Sequence, residues 1–133
     1  MRSHDLHVDT QSRQVIDITA AAVEFVAGGG SGLLNVFAPH ATAGVALMET
    51  GSGSEADLVR ALTRLLPRDE GYTHHHGSTG HGADHLLPVL VSPSLNIPVR
   101  KGRVLLGTWQ RIVLVDLNRD NSQRTVRLSL LTG

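Results

Sequence analysis

The stretch from Ser94 to Leu117, S-L-N-I-P-V-R-K-G-R-V-L-L-G-T-W-Q-R-I-V-L-V-D-L, constrains the fold more than any other part of the chain. Two apolar runs flank Arg100, Lys101 and Gly102, and a turn of that composition needs a residue with positive φ, which Gly102 supplies. The pattern predicts a β-hairpin. Its second arm carries the one tryptophan, Trp109, beside Gln110 and just after Gly107. A large ring next to a glycine suits a pocket wall, because the missing side chain admits another group; it also suits a core ring at a strand kink. Ile112 to Val115 is apolar at every position, the pattern of a central strand or of one covered by a subunit.

Around this stretch the chain alternates short strands and helices. Residues 2–9 and 14–19 read as two strands joined by a polar turn around Gln11 to Arg13. Thr19 is expected to cap a short helix that Gly28 to Gly30 end. Leu33 to Ala38 reads as a strand with Gly44 to Glu49 as its neighbour, which puts A-P-H-A-T-A-G, and with it His40, at a strand end or bulge. Ser54 is expected to cap the clearest helix, in which Leu58, Ala61, Leu62, Leu65 and Leu66 share a buried face before Pro67 stops it. Arg68 to Gly82 is polar, glycine-rich and aperiodic, hence a loop, and His85 to Val91 is a short helix holding Pro88. Arg124 to Leu131 alternates and closes the fold.

Composition narrows the function. A chain of 133 residues is read as one domain, 1–133, and 41% hydrophobic against 18% charged residues is a globular balance. Twelve basic and twelve acidic residues cancel, leaving no net field to draw nucleic acid or an anionic membrane. The absence of cysteine excludes disulfides, thiolate zinc sites and a cysteine nucleophile. With no apolar signal segment and no run long enough to cross a bilayer, a cytoplasmic protein is expected.

Eight histidines are the anomaly of the composition. His40, the run His74, His75 and His76, then His81 and His85, with Glu49, Asp57 and Asp84 available, offer imidazole and carboxylate ligands for zinc or a similar ion in a site open to water. In an extended run His74 and His76 would share a face. Solvated or hydrogen-bonding histidines are the alternative. Arg100, Lys101, Arg103, Arg124 and Arg127 suit anion recognition, although Arg100 and Lys101 also fit a solvated hairpin tip. Gly28 to Gly32 follows a helix and lacks G-K-[ST], so it is no phosphate loop, and no G-x-S-x-G presents a serine nucleophile.

H-A-T-A-G-V followed by Glu49, the leucine-rich helix ending L-L-P, Y-T-H, a histidine before L-L, and the G-x-x-x-L-G-T-W-Q segment with Arg124 beyond it resemble the UPF0047 or YjbQ family across nearly the whole chain. The resemblance implies an α+β fold with a β-sandwich-like core of mostly antiparallel strands and two or three helices, usually a homotrimer. It implies an enzyme with a weak thiamine-phosphate synthase activity, a transferase joining hydroxymethylpyrimidine diphosphate to thiazole phosphate with loss of pyrophosphate. Carried over by position, it gives His40, His74 and His85 as ligands of a divalent ion, zinc or magnesium. Glu49, Asp57 and Gln110 become catalytic, and Trp109 and Arg124 substrate-binding, with no organic cofactor. The chain departs from the pattern where H-G-A-D-H stands for N-G-H-S-H, at His81, Ala83 and Asp84, and where Thr50 to Gly53 replaces an Asn/Asp-rich turn. A non-catalytic trimeric module for a metal ion or small phosphorylated ligand, and a purely structural trimer, are the rival readings.

Overall fold

The computed structural model describes every residue except Glu70 and His76. Its strands are β1 (Arg2–Asp9), β2 (Val15–Asp17), β3 (Gly32–Phe37), β4 (Gly44–Met48), β5 (Ser94–Arg100), β6 (Arg103–Val104), β7 (Arg111–Val115) and β8 (Gln123–Thr132). Its helices are α1 (Thr19–Val26), α2 (Ser54–Leu65) and α3 (His81–Leu90). The strands form two antiparallel sheets, ordered β1-β8-β3-β5-β6 and β2-β7-β4. This is the α+β, sandwich-like architecture expected from the sequence. Among the described residues no helix is long and apolar enough to cross a membrane.

The apolar run of β7 explains the layering. Ile112 and Leu114 face the core between the sheets, where Leu34, Val36, Ile97, Val126 and Leu128 meet Ala22 and Val26 of α1. Val113 and Val115 point the other way, into a second core closed by Leu62 of α2 and Leu87 of α3. Side chains alternate across a strand, so a strand covered by a sheet on one face and by helices on the other must be apolar at every position. A subunit is not needed to account for it.

Several local expectations change. The hairpin turn carries two positive φ values, 49° at Lys101 and 74° at Gly102, as a two-residue turn matched to strand twist requires. Its second arm stops at Val104, so Trp109 lies in an irregular turn, 71% exposed, rather than in a strand or the core. Strands β3 and β4 are not neighbours, since β3 pairs with β5 and β8 while β4 pairs with β7 in the other sheet. Thr19 does not cap α1: its hydroxyl accepts the Ile112 amide at 2.8 Å, and the Asp17 carboxylate accepts the Thr19 amide instead. Nor does Ser54 cap α2, which begins after Gly53 with no side-chain cap, and on its apolar stripe only Leu62 is buried. Finally, α3 starts at His81, four residues before the expected His85.

Candidate functional site

The early start of α3 builds the site. Gly80, at φ 90°, permits the sharp entry into the helix, and residues four apart then share one face, so His81 and His85 stand side by side. His74 reaches them from the preceding loop. Its ring centroid lies 5.0 Å from that of His81 and 4.3 Å from that of His85, and the two helical rings are 4.5 Å apart. One ring nitrogen from each of the three lies within 4.8 Å of the other two. His75 is exposed and its Nδ1 meets the Tyr72 and Thr73 carbonyls, whereas His76 falls outside the described residues.

The cluster is held from behind by charge. Asp84 is 1% exposed; Arg68 grips it with both terminal nitrogens, and the Asn118 amide donates to its Oδ2 at 3.0 Å. That fixes the first turn of α3 against the turn after β7. From that turn the Asp120 carboxylate lies 3.2 Å from Nδ1 of His81, an arrangement that orients the ring. Hydrogen bonds from Ser78 first, then from His81, hold the Asp120 carboxyl below its usual range.

His40 is not in this group. Its Nε2 accepts the Thr125 amide at 3.0 Å, and burial, then the nearby Arg124 charge, push its pKa below the ordinary histidine value. Two residues on, the Thr42 hydroxyl accepts a hydrogen bond from Arg124, whose Nε and Nη2 clasp the buried Asp116 at 2.6 and 3.1 Å. The H-A-T segment is thus docked on the start of β8 through a buried ion pair. Glu49 and Asp57 are exposed, with Asp57 paired to Arg60 on the outer face of α2. The exposed Gln110 accepts the Gly107 amide through its own side-chain oxygen at 2.8 Å, which folds the turn carrying Trp109.

Of the metal ligands expected from the sequence, His74 and His85 come together, and His81 completes the cluster with them. The i, i+4 spacing of H-G-A-D-H is the signal for His81, visible once Gly80 is taken as the helix start. Asp116, Asn118 and Asp120 sit in D-L-N-R-D, where Asp116 ends an apolar strand pattern, Asn118 to Ser122 reads as a turn, and no local signal marks a role in the site.

A family model described as UPF0047 protein YjbQ-like matches residues 4–133. A UPF0047 protein of Mycobacterium tuberculosis is 61% identical over 128 residues, covering 96% of both chains. One from Archaeoglobus fulgidus is 32% identical over 123 residues, covering 92% of this chain and 96% of its own. A hypothetical protein of Aeropyrum pernix shares the structure with TM-score 0.91 at 34% identity, covering both chains completely. A Sulfolobus solfataricus protein, described as YbjQ-like and of unknown function, shares the fold at 24% identity and TM-score 0.91, covering 99% of this chain and 97% of its own.

Proposed function

The chain belongs to the UPF0047 family of YjbQ-like proteins, and from that membership together with its histidine cluster we propose a metal-assisted transferase of thiamine-phosphate synthase type. The observation that carries the reading is the gathering of His74, His81 and His85 within 4.8 Å. Three imidazoles fit zinc better than magnesium, which prefers oxygen, and a catalytic zinc takes three protein ligands and leaves a position open. Ligand atoms about 2.0–2.1 Å from a tetrahedral zinc lie roughly 3.4 Å apart, so nitrogens within 4.8 Å of one another need to close by about 1.4 Å at most. Asp120 behind His81 is the carboxylate partner such a ligand calls for.

In the proposed reaction the thiazole nitrogen bonds to the pyrimidine methylene carbon as the carbon–oxygen bond to diphosphate breaks, and the diphosphate leaves with the electron pair. A divalent ion held by His74, His81 and His85 would neutralise that departing charge. The helix and the Arg68–Asp84–Asn118 lock hold the imidazoles in place beforehand, so little reorganisation accompanies the chemistry. Exposed apolar residues on α2 and α3 support association of copies of this chain, as in the homotrimer that the family resemblance implies.

One observation favours the rival reading, a metal- or phosphate-binding module without turnover: two of the residues given catalytic roles are engaged elsewhere, Gln110 by the Gly107 amide and Asp57 by Arg60. Elemental analysis of untagged protein purified without chelators tests the centre. About one zinc per chain is expected in the wild type and none in His81→Asn or His85→Ala, both folded. A metal-free wild type would overturn the centre, and binding of the two thiamine precursors without turnover would leave the module.

A further inference from the structure

We propose that the cavity between the β1–β2 turn and the β7–β8 turn is a second ligand site, one that takes a phosphate oxyanion. The cavity has a volume of about 400 Å³ and lies between Thr10, Ser12, Arg13 and Gln14 on one side and Asp116 to Arg119 with Ser122 on the other. That is within the range of small-molecule sites. Its walls are fixed to each other: the Thr10 amide donates to the Ser122 carbonyl and the Asp116 amide to the Gln14 carbonyl, both at 2.9 Å.

Charge decides what such a cavity holds. Arg13 donates from Nε and Nη2 to the Thr10 and Asp9 carbonyls, at 3.2 and 3.3 Å, which positions its guanidinium without neutralising it. Gln11 and Ser12, both non-glycine residues with positive φ, of 49° and 65°, bend the turn that carries it. Among the described residues neither Arg13 nor Arg119 makes an ion pair. Of the carboxylates nearby, Asp116 is neutralised by Arg124, while Asp9 and Asp120, which accept hydrogen bonds from the Gln11 amide and from Ser78 and His81, do not line the cavity. The lining thus holds two exposed arginines, Arg13 and Arg119, and one carboxylate that is already neutralised, among hydroxyl and amide groups. Guanidinium forks in that setting select phosphate oxygens, carried either by inorganic diphosphate or by an organic phosphate ester.

This site is distinct in composition from the histidine cluster, and its test is independent of any metal. Calorimetric titrations of metal-free protein at pH 8, where imidazoles are neutral, would use inorganic diphosphate and ribose 5-phosphate as probes. Submillimolar binding of at least one is expected, and the tighter probe identifies the source of the oxyanion. Arg13→Gln with Arg119→Gln should weaken it about tenfold or more, while Arg100→Gln with Arg103→Gln, an equal loss of charge at the hairpin, should leave it unchanged. Arg119→Gln alone, at an exposed side chain with no ion pair to lose, covers the case of a misfolded double variant and should weaken binding at least threefold. Absence of binding by both probes, or equal losses in the two double variants, would overturn the site.

Discussion

At His40 one ring nitrogen is committed: Nε2 accepts the Thr125 amide, so the neutral ring carries its proton on Nδ1. Burial, and then Arg124, hold the native pKa below the ordinary histidine value, so the unfolded chain takes up a proton more readily than the folded one. The stability this linkage provides is present above the unfolded pKa and is lost as pH falls through the native one. Thermal unfolding followed between pH 7.5 and 5 should therefore show a steeper decline for the wild type than for His40→Gln, which keeps an acceptor but cannot titrate. Parallel curves would remove His40 as the source. The sequence marked His40 as chemically important from its place in H-A-T, yet that motif is equally consistent with a ligand and with a ring that receives a backbone amide. Only the approach of β8 distinguishes them, and it comes from 85 residues away.

Element boundaries matter most at α3. The polar composition of Arg68 to Gly82 and the proline at position 88 make this segment look like a loop with a broken helix, because local propensity is weak there. The helix begins at His81 because Gly80 adopts positive φ and because buried Asp84 finds Arg68 and Asn118 to satisfy it. Gly82 is part of the same construction: a Cβ there would collide with the His74 carbonyl oxygen and sit 2.6 Å from Cβ of Tyr72. Gly82→Ala should push the His74 loop away from the helix. The expected outcome is at least a tenfold loss of zinc affinity with a stability loss of only about 1–2 kcal/mol, since the loop is peripheral to both cores. Competition with a chromophoric chelator, beside thermal melts, separates the two effects. An unchanged affinity would mean that His74 is not a ligand.

For the whole molecule, the second core is the asymmetric part. Helices α2 and α3 cover one face of the β2-β7-β4 sheet with Leu62 and Leu87, and they leave Leu65 68%, Val89 76% and Leu90 55% exposed. The apolar stripe of α2 is legible in the sequence, but a single chain does not fill it. Patches of that kind mark association surfaces. Light scattering should give a mass about three times the 14.2 kDa of one chain. Leu65→Glu combined with Val89→Glu should shift the protein to monomer without unfolding it. A monomeric wild type would sink the trimer.

Residue order alone specifies the periodic elements: the hairpin at Gly102, the fully apolar β7, the alternating β8 and the amphipathic α2. Their signals lie in neighbouring residues, through side-chain alternation and helical repeat. It determined the family too, because G-x-x-x-L-G-T-W-Q and its companion motifs span the chain, and the family model matches from residue 4 to residue 133. The fold sets which imidazoles meet, which strands pair and, among the described residues, which arginines lack a counter-ion. Those are matters of proximity between segments far apart in the chain: Asn118 against Asp84, Asp120 against His81, Arg124 against Thr42. For the buried Asp84 and Arg124, burial makes such contacts obligatory, since a charge taken from water must find a partner wherever the fold brings one.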